Sequence, residues 1–103
     1  MTNQVMELFK LAVYTHLYQT KPGHLISYGE LAKLAGQPNY SRMVGRILKE
    51  LPRDTELPWF RVVRSNREIA FPEGSSPYER QKEQLEQEGW IIKGRKIYSI
   101  QKS

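Results

Sequence analysis

The chain contains no cysteine. Without thiols it can form no disulfide, no thiolate metal site and no thiol nucleophile. Histidine is almost as scarce: His16 and His24 both lie in the first quarter of the chain, no paired metal-ligand spacing or serine triad appears, and both are expected to be structural or surface residues. No glycine-rich phosphate loop, internal repeat or low-complexity tract is present. No stretch approaches the roughly 18 apolar residues of a membrane span, and Met1 to Lys10 lacks an apolar run before a small-residue cleavage site. These absences predict a soluble, cytoplasmic protein (nucleoid-associated if bacterial) that needs no metal or cofactor and no membrane.

What the chain does carry is positive charge. Lysine and arginine number 16 against 11 acidic residues, for a net charge of +5 and a pI near 9.6. Such a balance favours a polyanionic partner, nucleic acid above all. The length of 103 residues fits one domain, 1–103, with a modest core.

Apolar residues at Val5, Leu8, Phe9, Ala12, Val13 and Leu17 predict a first helix from Thr2 to about Gln19, ended by Lys21-Pro22-Gly23. His24-Leu25-Ile26 reads as a short extended piece. Ser27-Tyr28-Gly29-Glu30 is a capping box that opens a second helix, with Leu31 and Leu34 toward the core and Gly36-Gln37-Pro38 as its stop. Asn39 is a suitable N-cap for a third helix, from Tyr40 to about Leu51. Two short helices this close read as a helix-turn-helix.

The third helix has two chemically distinct sides. At about 100° per residue, Tyr40, Met43, Val44, Ile47, Leu48 and Leu51 share one side, and Arg42, Gly45, Arg46 and Lys49 the other. Long cations neutralise phosphates, and a residue without a side chain lets a helix backbone come near them. Farther on, Phe60-Arg61-Val62-Val63 and Glu68-Ile69-Ala70-Phe71 predict strands around Ser65-Asn66-Arg67. Ser76-Pro77-Tyr78-Glu79 opens a helix to about Glu88, whose sparse apolar face, Tyr78 and Leu85, predicts peripheral packing. Ile91-Ile92 and Lys96 to Ile100 predict a terminal hairpin around Gly94. The expected fold is mainly α with small β elements, a winged-helix-like helix-turn-helix.

The segments Ile26 to Ala32, Leu34-Ala35-Gly36, Ser41 to Gly45 and Pro58-Trp59-Phe60-Arg61-Val62-Val63, in this order, resemble the C-terminal DNA-binding and active-site domain of O6-alkylguanine-DNA alkyltransferases. The resemblance runs from the first helix to Glu88-Gly89. In those enzymes the last motif reads Pro-Cys-His-Arg-Val and its cysteine accepts the alkyl group. A tryptophan in that place marks the alkyltransferase-like proteins, many of which keep the histidine that is Phe60 here. Direct transfer from guanine O6 needs a thiolate and a base to generate it. Neither Trp59 nor Phe60 can serve as either, so alkyl transfer is excluded on chemical grounds and the catalytic set is empty.

The resemblance implies a non-enzymatic sensor. It would bind double-stranded DNA containing O6-alkylguanine as a monomer, flip the nucleotide into a pocket and flag it for nucleotide excision repair proteins. By the same resemblance Arg42 enters the duplex, Tyr28 crowds the target phosphate, and the recognition helix lies in the minor groove. Ser41, Gly45, Arg46 and Lys49 complete the DNA-binding set. The lesion pocket is expected from Trp59, Tyr28, Pro58, Phe60 and Val62, with Arg61 and Val62 bracing it from behind. Glu88, deprived of its histidine partner, is expected to be structural. The loop Pro72 to Ser76 is expected to cover the pocket without supplying an arginine to it. A sequence-preferring transcriptional or architectural helix-turn-helix protein is the alternative. Gly45 at the centre of the reading face serves major-groove readout poorly. A residual hydrolase is a third class, for which nothing near Trp59 could activate water.

Overall fold

The computed structural model describes residues 2–99. Helix α1 (Thr2–Tyr18) leads to a two-residue strand β1 (Ile26–Ser27), then α2 (Tyr28–Leu34) and α3 (Ser41–Lys49). A single 3-10 turn (Trp59–Arg61) runs into β2 (Val62–Val63), followed by α4 (Ser76–Gln87) and the hairpin β3 (Trp90–Lys93) and β4 (Lys96–Ser99). This is a helix-turn-helix with a β wing. Among the described residues no helix is long and apolar enough to cross a membrane.

Local chemistry explains where α2 and α4 begin. The Ser27 hydroxyl accepts from the Glu30 N–H at 3.0 Å, and the Ser27 N–H donates to Glu30 Oε1 at 2.9 Å, the reciprocal pair of a capping box. Gly36 follows at φ +96°, a left-handed conformation that ends the helix without the strain a side chain would bring. The third helix differs from expectation. Its N-cap is Tyr40, with no side-chain cap, and Asn39 makes no capping bond. The fourth is capped by Ser75 accepting from Tyr78 N–H, which places Pro77 inside the first turn and Ser76 within the helix.

Two packed clusters share the interior. Phe9, Val13 and Leu17 of α1, Leu31 and Ala32 of α2, and Val44 and Ile47 of α3 form the first, with Val62. Val63, Ile69, Tyr78, Leu85, Ile92 and Ile97 form the second. Successive strand residues point to opposite faces, so the pair Val62-Val63 joins the clusters. Burying each such aliphatic side chain contributes roughly 1.5–3 kcal/mol.

Several expectations are corrected by this packing. On α1 the buried line is Phe9, Val13 and Leu17, while Val5 is 55% and Leu8 61% exposed. One i, i+4 line meets α2 and α3, and the outer apolar residues have nothing above them. Leu34 is likewise 55% exposed, and Ala32 takes the core position beside Leu31. The segment Phe60-Arg61 is a 3-10 turn rather than strand, and β2 pairs in parallel with β1, Ile26 to Val62 and Ser27 to Val63. Residues 68–71 form no named strand. Glu68 makes one isolated bridge to Lys96 and Ile69 N–H donates to Arg95 carbonyl at 2.8 Å. Helix α4 is not peripheral: Tyr78, Gln81 and Leu85 are buried, and Tyr78 hydroxyl donates to the Gly94 carbonyl. The terminal hairpin forms as expected through Ser99; Ile100 lies outside the described residues.

Candidate nucleic-acid interface

The two-sided chemistry of α3 survives folding. Val44 and Ile47 are buried and Met43 and Leu48 pack on the same cluster, while Arg42, Arg46 and Lys49 project into solvent. Among the described residues none of these cations forms an ion pair. Their charge is therefore free for an external anion, with no internal partner to displace.

This face forms one side of an open cleft of about 1220 Å³. Tyr28, Ser41, Arg42, Gly45, Arg46 and Lys49 line it together with Trp59, from parts of the chain that are far apart in sequence. Arg53, Arg64 and Arg80 add to its positive charge, and Glu50 is the one acidic residue on the lining among the described residues. A concave surface of one sign focuses its field on a polyanion.

Tyr28 stands at the seam of the cleft. Its ring backs onto Gly45, where an added Cβ would lie 3.8 Å from Tyr28 Cε1. Burial pushes the Tyr28 phenol above its ordinary value, and the nearby Arg64 charge only partly opposes this. The hydroxyl is thus a neutral donor at physiological pH and repels no phosphate.

Trp59 is held from several directions. Its backbone N–H donates to the Leu57 carbonyl at 2.8 Å, and the Arg61 backbone N–H closes the turn on the Pro58 carbonyl at 3.1 Å. Phe60 and Phe71 meet the indole edge-on, with centroids 6.2 and 6.5 Å away. The Arg80 guanidinium lies 5.9 Å from the indole centroid, within cation–π range. Beneath the turn, Gln81 Nε2 donates to the Phe60 and Val62 carbonyls at 2.8 and 3.1 Å.

The turn is anchored by a buried ion pair. Arg61 Nη2 lies 2.6 Å from Glu88 Oε2, and Arg61 Nη1 donates to the Thr20 carbonyl at 2.8 Å. Glu88 Oε1 also accepts from Gly23 N–H at 3.1 Å. Glu88 has a structural role, as expected, and Arg61 supplies its partner. Together they tie the loop after α1 to the turn and to the end of α4.

Not every expected pocket residue reaches the cleft. Trp59 and Tyr28 do; Pro58, Phe60 and Val62 do not. Trp59 packs on the first cluster and Phe60 on the second, because adjacent residues of the turn face different sides. Val62 is 1% exposed within the core, and Pro58 caps the turn. The 72–76 loop borders the cleft through Pro72 and Ser75, and the arginine beside the indole comes from α4 as Arg80. Sequence reasoning missed Arg53, Arg64 and Arg80. None lies in a motif, and only for Arg80 does a helical offset from Pro77 place it toward the same side.

Helix-turn-helix architecture and a cationic cleft define a DNA-binding protein. Residues 8–90 match the family described as 6-O-methylguanine DNA methyltransferase, DNA binding domain. A DNA base-flipping protein of Vibrio parahaemolyticus is 40% identical over 82% of this chain and 82% of its own length. Alkyltransferase-like protein 1 of Schizosaccharomyces pombe is 38% identical over 82% of this chain and 78% of its own. The crystal structure of the S. pombe protein in complex with damaged DNA containing O6-carboxymethylguanine superposes with a TM-score of 0.81, at 34% identity, covering 92% of this chain and 91% of that one. The chain belongs to the methyltransferase DNA-binding-domain family and, within it, to the alkyltransferase-like proteins.

Proposed function

We propose that this protein recognises O6-alkylguanine in double-stranded DNA and holds it without repairing it. The observation that carries the reading is a cationic cleft with the Trp59 indole on its wall, in a chain that has no thiol. A base inside a duplex must be extruded to be inspected, at a cost of a few kcal/mol. The unpaired cations of α3 offset that cost through phosphate contacts, and Arg42 fills the vacated space in the duplex. The indole gives the extruded base and its alkyl group an apolar surface to pack against, and Arg80 gives a cation beside it.

Alkyl transfer has no chemical route here. No cysteine exists in the chain, and neither His16 nor His24 lines the cleft. A complex that chemistry cannot resolve persists on the DNA, and we extend the reading to marking the lesion for nucleotide excision repair. Solved complexes of the S. pombe relative with DNA, among them one with damaged DNA, support DNA as the partner of this chain as well.

The test compares matched duplexes with and without O6-methylguanine at fixed salt. Tighter binding of the lesion is expected. Equal affinity would remove lesion recognition and leave general DNA binding, and selection of a preferred sequence from random duplexes would favour the transcriptional or architectural alternative.

A further inference from the structure

Strand register brings together two cleft residues that no motif connects. In the parallel pair, Ile26 stands beside Val62 and Ser27 beside Val63. One step farther along both chains lie Tyr28 and Arg64, where β1 gives way to α2 and β2 to a turn. Neighbouring strands run about 4.8 Å apart, so the two residues leave the same end of the sheet side by side. Both line the cleft.

The backbone of Arg64 is fixed on both sides. Its N–H donates to the Glu68 carbonyl at 3.0 Å, and its carbonyl accepts from Arg67 N–H at 2.8 Å. Its side chain is exposed, and among the described residues it forms no hydrogen bond or ion pair. By contrast, Arg61, three residues earlier, is consumed by Glu88 and the Thr20 carbonyl, and Arg95 by Glu68 and the Ile69 carbonyl. A pinned backbone with an unspent guanidinium, beside a phenol hydroxyl, is the donor set a phosphate diester accepts.

We propose that Arg64 is a DNA-contacting residue, supplied by the strand end rather than by the recognition helix, which adds a charged donor beside Tyr28 for a phosphate of the lesion-bearing strand. The proposal rests on the reading that the cleft holds DNA. The phenol, protonated at physiological pH like any tyrosine and raised further by burial, donates as a neutral group, and the guanidinium supplies the charge. The phosphate held here is the one next to the extruded nucleotide, because Trp59 and Tyr28 share the cleft. Gripping the strand from the sheet end as well as from α3 fixes the backbone on both sides of the rotating nucleotide.

The experiment is a thermodynamic cycle on full-length protein with O6-methylguanine duplexes. A single neutral methylphosphonate is walked along the lesion strand, and the unaltered protein is compared with Arg64→Gln and Arg64→Lys. Arg64→Gln is expected to weaken lesion binding about tenfold or more and to reduce the log–log salt slope by roughly one. Arg64→Lys is expected to restore the slope. At one phosphate adjacent to the lesion, the methylphosphonate should weaken the unaltered protein and cost Arg64→Gln much less, the remainder being the Tyr28 contact. Additive losses at every position, or an unchanged slope in Arg64→Gln, would overturn the proposal while leaving the DNA-binding reading intact. Failure of the unaltered protein to bind any duplex would instead overturn that reading, and this one with it.

Discussion

Replacing Gly45 by alanine separates two reasons for a glycine in the middle of a helix: the fold needs it, or the ligand does. Gly45 is the central residue of α3, Ser41–Lys49. A methyl group there would meet nothing nearer than Tyr28 Cε1 at 3.8 Å and Cδ1 at 4.0 Å, ordinary van der Waals contacts. Nor does Gly45 have a positive φ. Packing therefore gives no reason for glycine, and helix propensity argues against it by about 0.8–1.0 kcal/mol relative to alanine. Gly45→Ala should thus stabilise the free protein by roughly that amount, which for a domain of this size raises Tm by about 3–8 °C.

On the cleft face the same methyl stands where phosphates would approach, between Arg42, Arg46 and Lys49. Pushing the helix back lengthens several charge contacts at once. A loss of about 1–2 kcal/mol, roughly 5- to 30-fold in affinity, is expected. Differential scanning fluorimetry of free protein and fluorescence anisotropy with a labelled O6-methylguanine duplex measure the two quantities. A lowered Tm would show that the fold requires the glycine. Unchanged affinity would show that this face of α3 does not approach DNA, and the reasoning would fail.

Other outcomes follow from the same geometry. Arg42→Ala should weaken lesion and undamaged duplexes alike by ~1–3 kcal/mol with little change in Tm, since the side chain is exposed; a titration of both duplexes checks this. Trp59→Ala should narrow the affinity ratio between lesion and undamaged duplex more than it weakens binding of the latter, and a preserved ratio would remove the indole from recognition. Trp59→Cys should gain no alkyl group from damaged DNA by intact mass, because neither histidine lines the cleft to activate the thiol. Glu88→Ala should cost about 3–5 kcal/mol in urea unfolding, because it strands a buried guanidinium. Tyr28 and Tyr78 both titrate above the ordinary phenol value of about 10, chiefly through burial. Unfolded phenols ionise first as pH rises, so their stability contribution holds below about pH 10 and falls beyond it. Thermal melts from pH 8 upward should show that decline, and Tyr78→Phe should lessen it.

Much of this protein is legible one turn at a time. The Ser27–Glu30 box, the opposed faces of α3 and the missing thiol are properties of neighbouring residues or of composition, and folding left them unchanged. The errors fall where local signals are weak or where a neighbour decides. A two-residue strand has no periodicity to read, so its parallel pairing with β1 was not foreseeable. Sequence periodicity marks which α1 residues are apolar; only the position of α2 and α3 decides that Phe9 is covered and Leu8 is not.

The amino-acid order by itself determined that this is a basic helix-turn-helix protein without cysteine, because capping, amphipathicity and side-chain chemistry act within a few residues. Only the tertiary structure decided that Phe60 turns away from the cleft, that Arg61 is spent on Glu88, and that Arg64 and Arg80 join Tyr28 and Trp59. Those relations depend on how segments tens of residues apart meet, and long-range packing leaves no periodic trace in the chain.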